Sequence, residues 1–359
     1  MIKEAIVKVV RGESLQEREM QVVMQDILNG QVTPAQLGSL VTGMRLKGES
    51  EEEIVGAAKG MRAESIGIDS LKPGVNLDRG EINIEEETVM NTCRLGEDVT
   101  NTFNVSTAAA LVVAAGGLEV IKHGYRADST YCGSGDVLEA LGLNLDISRS
   151  DAQRCVAETG IAFLYVPLFH MGLSHVSGPR REIGIRTIFN LISPLINPAG
   201  SEYQSLGVYS PELTEKMAGV LHRLGLKRAF VFCGESTLDE ISICGPTRIS
   251  SLKEGKIETH DYFPEDYGLS LAEPADIRGG NARENARIIR EVLEGGPGPK
   301  QDLVAVNAAA AFVISGLDNS FREGIDRARE VIDSGRAREK LENLVSFTRR
   351  CAPFVRKEL

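Results

Sequence analysis

The apolar residues of the first 65 positions recur at helical spacing in four successive blocks. Ile2, Ala5, Ile6 and Val9 form the first, and Gly12 is placed to end it. Met20, Val23, Met24 and Ile27 form the second, for which Ser14 and Glu17 predict a capping box. Thr33 and Pro34 open a third, carrying Leu37, Leu40, Val41 and Met44. Ser50 and Glu53 predict the capping box of a fourth, carrying Ile54, Ala58 and Met61. These blocks predict a small helical domain over residues 1–70, joined by helices from about 165–190.

The pattern changes over 66–90, where Pro73, Gly74 and the acidic run Glu85–Glu87 predict a hinge or linker. Short apolar runs follow at Leu118–Ile121, Ile161–Val166, Ser205–Tyr209 and Ala229–Phe232, each expected to be a buried strand. Helical patterns separate them, including Asp136–Leu141, Ile183–Ile192 and Pro211–Leu224 with Ser210 as its N-cap. Residues 281–350 read as mostly helical. The fold class is therefore α/β: a larger α/β domain over 71–359, with a central sheet, behind the helical domain.

Composition narrows the function classes. No stretch approaches eighteen uncharged apolar residues, which excludes a helical membrane span. The opening MIKEAIVKVVRGE is interrupted by Lys3, Glu4 and Lys8, and so reads as an amphipathic helix and not a signal peptide. Six cysteines without a CxxC pair argue against a disulfide framework or a zinc site and for reduced thiols in a cytoplasmic protein. A net charge of −11 opposes general binding to nucleic acid, and the absence of Trp leaves few stacking platforms.

Four segments offer chemistry. In Asn101–Thr107, polar residues precede the apolar run Ala108–Ala115, so hydroxyls and free N–H groups gather where a helix begins. This is either a phosphate cradle or an ordinary N-cap. Lys122-His123-Gly124-Tyr125-Arg126 follows a predicted strand, where ligands of α/β sheets bind, with Ser129, Thr130, Gly133 and Ser134 beyond it. The pattern suits phosphate oxygens or a solvated basic loop. Asp239-Glu240 suits Mg²⁺ held through substrate phosphates, or is a solvated surface pair. In Gly178–Glu182, an arginine either anchors an anionic acceptor or pairs with Glu182. His123, His170 and His175 form no metal-binding pattern.

Taken in order, these segments resemble the anthranilate phosphoribosyltransferase family. The resemblance is carried by TFNVST at 102–107, KHGYR at 122–126, GSGDVLEALG at 133–142 and RREIGIRTIFN at 180–190. It continues through LGVYSPEL at 206–213, LDEIS at 238–242, GPTR at 245–248, RGGNARENARI at 278–288 and VNAAAA at 306–311. The resemblance implies a fold shared with pyrimidine nucleoside phosphorylases and a homodimer formed through the helical domains. It implies transfer of a phosphoribosyl group from 5-phosphoribosyl 1-diphosphate to the amine of anthranilate, releasing diphosphate, early in tryptophan synthesis. It further implies that Thr102, Asn104, Ser106 and Thr107 hold the donor. Lys122, Gly124, Arg126, Ser129, Thr130 and Ser134 would surround its phosphates. Ser106, Asp239 and Glu240 would hold Mg²⁺, and Arg180 would contact the anthranilate carboxylate beside His123. No covalent nucleophile is implied.

The sequence departs from the family at two places. The family's glycine-rich GTGGD is here Arg94-Leu95-Gly96-Glu97-Asp98, which puts Arg94 and Asp98 on the donor side. The family's KHGNR has its asparagine replaced by Tyr125, on the acceptor side. Three readings follow: the anthranilate enzyme, a phosphoribosyltransferase for another aromatic amine or nitrogen base, or a non-catalytic relative that binds nucleic acid.

Overall fold

The computed structural model describes residues 1–64, 74–79, 102–124, 133–165, 171–197 and 203–352. The N-terminal blocks form α1 (Ile2–Val10), α2 (Glu17–Leu28), α3 (Pro34–Lys47) and α4 (Glu51–Ala63). Two of the expected caps form as read. Gln36 N–H donates to Thr33 Oγ1 at 3.3 Å, and Glu53 N–H to Ser50 Oγ at 3.3 Å. The cap of α2 is different. Gln16 is its N-cap, donating its backbone N–H to Glu19 Oε2 at 3.0 Å, while Ser14 instead accepts from Lys47 Nζ at 3.1 Å. The helix starts two residues later than Ser14 requires, because Leu15 turns into the core and its N–H is taken by buried Glu53 Oε1 at 2.9 Å.

α2 and α4 are in unusually close contact. A Cβ on Gly56 would stand 2.2 Å from the carbonyl oxygen of Glu17, and one on Gly60 would stand 2.8 Å from Met24 Cβ. Two glycines four apart thus face α2 with bare backbone, and Met20, Met24 and Met61 fill the space around the crossing.

The α/β part contains β1 (Gly74–Arg79), α5 (Val105–Ala115), β2 (Glu119–Gly124), α6 (Ser134–Leu141), α7 (Arg149–Thr159), β3 (Ile161–Tyr165), α8 (Ser174–Ile183), α9 (Ile188–Ile192) and β4 (Tyr203–Gly207). It continues with α10 (Glu212–Arg223), β5 (Arg228–Gly234), β6 (Thr247–Lys253), β7 (Lys256–Tyr262), α11 (Ala282–Leu293), α12 (Pro299–Ser315), α13 (Phe321–Asp333) and α14 (Arg336–Arg350). The sheet order is β3-β2-β1-β4-β5-β6-β7, parallel from β3 to β5 and antiparallel thereafter.

Helices cover both faces. Ala229, Val231 and Cys233 of β5 join a core built with α1–α4, α9 and α10, whereas Phe232 joins the core of α5, α7 and α11–α14. This is the two-residue alternation of a strand buried on both sides. α8 and α9, in the β3–β4 crossover, pack on α2, α3 and α4, so the N-terminal helices cover the sheet through that crossover.

Several elements differ from expectation. The expected hinge contains β1, a central strand, at 74–79; the rest of 66–90 lies outside the described residues. The run at 118–121 is a longer strand reaching Gly124, and the run at 205–209 is a strand over 203–207. The expected helix over 183–192 is split. Gly184, in the left-handed region at φ 61°, ends α8, and α9 starts at Ile188. Ser210 does not cap α10; its hydroxyl donates to the Glu212 carboxylate, and Pro211 is the N-cap. The β6–β7 hairpin is an addition to the expected elements. Its two-residue turn, Glu254-Gly255, has both φ values positive, at 51° and 82°.

The close helix crossing fixes opposite signs for two similar substitutions. Gly56→Ala meets backbone oxygen and is expected to destabilise the protein by about 1–3 kcal/mol. Gly38→Ala, whose Cβ would meet only Ile183 Cδ1 at 3.8 Å, is expected to stabilise it by about 0.5–1 kcal/mol. Urea midpoints of the two variants against the parent check the sign of each.

Candidate active site

Between β1 and β4 the chain reverses its direction of travel across the sheet. β1 continues by way of α5 to β2 on one side, and β4 by way of α10 to β5 on the other. The crossovers diverge there and leave a crevice beyond the carboxyl ends of the strands. α5 runs back against the strands, so its N-terminus, with residues 102–107, lies at that edge. Residues 122–124 end β2, and 239–240 follow β5.

The first wall is the start of α5. Phe103 is fully buried and anchors it. Thr102 bridges Arg278, and a Cβ on Gly279 would lie 2.6 Å from Phe103 N, so only glycine permits this contact of backbones. Asn285 joins the two segments. Its Nδ2 donates to Asn104 Oδ1 at 3.0 Å, and its Oδ1 accepts from Gly280 N–H at 2.7 Å. Asn281 in turn caps α11, accepting from the N–H groups of Arg283 and Glu284 at 3.0 and 3.1 Å. Asn104 is the N-cap of α5 without making a side-chain capping bond, so the ordinary-cap reading does not describe it. The Thr107 and Ser134 hydroxyls are buried with no hydrogen-bond partner among the described residues. Ser134 opens α6, behind Gly133, whose N–H donates to Asp136 Oδ2 at 2.9 Å. Two helix N-termini therefore begin at this edge, an arrangement that favours anions.

Lys122 lies inside β2, opposite Phe163 of β3, and is 1% exposed. The solvated-loop reading does not hold for it. Gly124 is the last residue of that strand, and His123 occupies a strand position beside it.

The carboxylate segment is tightly constrained. A left-handed turn at Ser236, φ 57°, brings Gly234 N–H to Leu238 O at 2.7 Å. Asp239 then crosses β4 where a Cβ on Gly207 would be 1.8 Å from its carbonyl oxygen. Glu240 is 2% exposed, which sets aside the reading as a solvated surface pair. Beyond it, Asn307 of α12 bonds both backbone groups of Ile241, and Thr247 Oγ1 of the GPTR segment accepts from Ser242 N–H at 2.8 Å. Burial, with the Asp239 charge second, pushes the neighbouring Cys233 thiol up to about 12, so it stays protonated at neutral pH.

Arg180 lies in the last turn of α8, not ahead of a helix as expected from sequence. Its Nη2 reaches Asn190 Oδ1 at 3.5 Å, and its guanidinium carbon is 5.3 Å from the Phe189 ring centroid. The same Asn190 oxygen accepts from Thr187 N–H at 2.9 Å. Arg186 brings the segment to the sheet edge, with its guanidinium carbon 4.2 Å from the ring centroid of Tyr209, two residues beyond β4.

Residues 86–338 match a family described as "Glycosyl transferase family, a/b domain", and residues 3–65 match "Glycosyl transferase family, helical bundle domain". The anthranilate phosphoribosyltransferase of Acetivibrio thermocellus is 47% identical over 348 residues, covering 97% of each chain. The crystal structure of the anthranilate phosphoribosyltransferase of Thermus thermophilus superposes with a TM-score of 0.86 at 38% identity, covering 96% of this chain and 99% of that one. The Saccharomyces cerevisiae enzyme in complex with PRPP and Mg gives 0.83 at 28% identity, covering 97% and 98%. The chain belongs to the anthranilate phosphoribosyltransferase family.

Of the site residues expected from that family, Thr102, Asn104, Ser106, Thr107, Lys122, Gly124, Ser134, Asp239 and Glu240 lie on segments that meet the carboxyl edge of the sheet. Arg180 stands on the crossover that spans the switch point. Arg94, Asp98, Tyr125, Arg126, Ser129 and Thr130 lie outside the described residues. Sequence reasoning missed Asn285, Asn307 and Thr247. A signal existed for Asn307, a lone amide inside the apolar helix VAVNAAAAF, since a polar group buried there must be bonded.

The carboxylates also bear on metal. Among the described residues no group of three or more His, Cys, Asp or Glu side chains could hold an ion by itself. Two adjacent carboxylates at an anion-favouring edge instead fit Mg²⁺, which completes its shell with substrate oxygens and water. No helix among the described residues is long and apolar enough to cross a membrane.

Proposed function

We propose that this protein transfers a phosphoribosyl group from 5-phosphoribosyl 1-diphosphate to the amine of anthranilate, releasing diphosphate. The observation that carries the reading is the single sheet edge shared by two helix N-termini and the Asp239–Glu240 segment. The relatives at 47% and 38% identity support it by their names. Thr102, Asn104, Ser106, Thr107, Ser134 and Gly124 line the donor, with Lys122, Arg126, Ser129 and Thr130 around its phosphates. Asp239 and Glu240, with Ser106, hold Mg²⁺, and Arg94 and Asp98 complete the donor side. When bound, Mg²⁺ neutralises charge on the departing diphosphate. The chain's cations and helix N-termini stabilise the same charge. The anomeric carbon becomes cationic as the C–O bond lengthens, and the aromatic amine attacks it and then loses a proton. Arg180 and His123 orient that acceptor. No protein nucleophile takes part.

Division of the chain near residue 70 and a cytoplasmic setting belong to the same proposal. The setting agrees with the free, buried thiols of Cys155, Cys233 and Cys351. So does a homodimer through the helical domain. α1 and α3 pack on each other and leave Met1, Val7, Val10 and Leu46 exposed, Leu46 to 84%. Sedimentation at micromolar concentration is expected to give a dimer, and the pair Val10→Asp with Leu46→Asp to give a monomer.

Diphosphate release measured with donor, anthranilate and Mg²⁺ tests the reaction itself. EDTA is expected to abolish it. Asp239→Asn combined with Glu240→Gln is expected to lower kcat/KM by at least ~100-fold with the fold intact by circular dichroism.

Tyr125 favours a second reading of the acceptor, as another aromatic amine or nitrogen base. A phenol replaces a short amide and removes its paired donor and acceptor groups. Restoring that pair by Tyr125→Asn is expected to raise kcat/KM for anthranilate by about ten- to a hundredfold. A panel of aromatic amines assayed with both proteins separates the readings: an acceptor preferred by the parent and lost in the variant identifies the second.

A further inference from the structure

We infer that Asn307, a residue of α12 remote in sequence from the carboxylates, is a positioning residue for the metal-binding pair. The inference rests on the proposed role of Asp239 and Glu240. Asn307 is 4% exposed within a helix whose neighbouring positions are apolar and buried. Its Oδ1 accepts from Ile241 N–H at 3.0 Å, and its Nδ2 donates to Ile241 O at 3.0 Å and to Leu303 O at 2.9 Å. One side-chain amide thus supplies both bonds that a neighbouring strand would give Ile241. The third bond, to the carbonyl four residues back on its own helix, fixes the amide's rotamer.

The consequence lies in which peptide planes are held. The N–H of Ile241 belongs to the peptide that joins Glu240 to Ile241. Fixing it against α12 sets the direction in which Glu240 projects. Upstream, the bond from Gly234 N–H to Leu238 O and the contact of Asp239 O over Gly207 fix the other side. Asp239 and Glu240 are therefore suspended between two pinned points, with no regular secondary structure of their own. Helix packing does not require an amide at 307, since Ala308–Ala311 pack as small apolar residues. What the amide adds is the hold on Ile241. Residues that orient metal ligands from behind typically change metal affinity by about 10–100-fold when lost.

The test is a titration of the full-length protein with Mn²⁺ in the presence of 5-phosphoribosyl 1-diphosphate, followed by the electron paramagnetic resonance of the free ion. Asn307→Ala is expected to weaken Mn²⁺ binding by about tenfold and to raise the Mg²⁺ half-saturation of diphosphate release equally, with KM for the acceptor unchanged. Should the alanine variant not fold, Asn307→Ser, which is uncharged and too short to bond both backbone groups of Ile241, takes its place with the same expectation. A lower melting temperature with Mn²⁺ affinity and Mg²⁺ half-saturation as in the parent would overturn the inference, leaving Asn307 merely structural. Asp239→Asn, titrated alongside, separates the two layers. If it weakens Mn²⁺ binding while Asn307→Ala does not, only the role of Asn307 falls. If Asp239→Asn binds Mn²⁺ like the parent, the metal assignment fails and this inference with it.

Discussion

Parallel pairing of five strands is the constraint from which the rest of the molecule follows. Strands that point the same way cannot be joined by hairpins, so each crossover must carry helix back over a face of the sheet. Both faces are then covered, so β3 and Ala229–Cys233 of β5 carry apolar residues on both sides, while β1, β2 and β4 mix in polar ones. All carboxyl ends gather at one edge, and the order β3-β2-β1-β4-β5 places one reversal at its centre. Chemistry that needs groups from distant parts of the sequence collects there without any one segment having to supply it.

The same geometry creates a difficulty. Segments that leave the strand ends have lost their ladder partners, yet their backbone groups are buried and need bonds. Three side chains solve this from the far end of the sequence or from beyond the loop. Asn285 holds Gly280 and Asn104, Asn307 holds both groups of Ile241, and Thr247 holds Ser242. Glycines at 207 and 279 let backbone approach backbone where any Cβ would intrude. Rigidity at the edge is thus obtained from amides, a hydroxyl and missing side chains, and not from regular structure.

How much of this can be read from sequence follows from the range of each signal. The helices of residues 1–63 are legible because their periodicity and caps are local: Thr33 and Ser50 cap as read. Ser14 misleads because Glu53, distant in sequence, claims Leu15 N–H. β1 is hidden because Val75 and Leu77 alternate with polar residues beside Pro73 and Gly74, and only its neighbours β2 and β4 make it a central strand. Lys122 conceals the true end of β2, since a lysine ordinarily marks a surface and this one is buried. The β6–β7 turn, in contrast, carries a local signal in Glu254-Gly255 that is weaker than Asn-Gly or Asp-Gly. Site residues are legible only as motifs in order. Their tethers, Asn285 and Asn307, are defined by partners 181 and 66 residues away.

The tethering also sets the carboxylate segment apart from the arginine on the crossover. The carboxylate segment is pinned through its main chain by Asn307, Thr247 and the close approach at Gly207, so loss of one of those tethers, and not of a side chain at 239–241, would leave its buried backbone groups unbonded. Arg180 is held differently. It projects from the end of a helix on the β3–β4 crossover, fastened by Asn190 and Phe189 within the same crossover. A substitution at Arg180 leaves the tethers of the 239–241 segment in place, since none of them involves that crossover. The two segments are thus held in different ways: Asp239 and Glu240 by tethers from α12, β4 and β6, and Arg180 by neighbours within its own crossover.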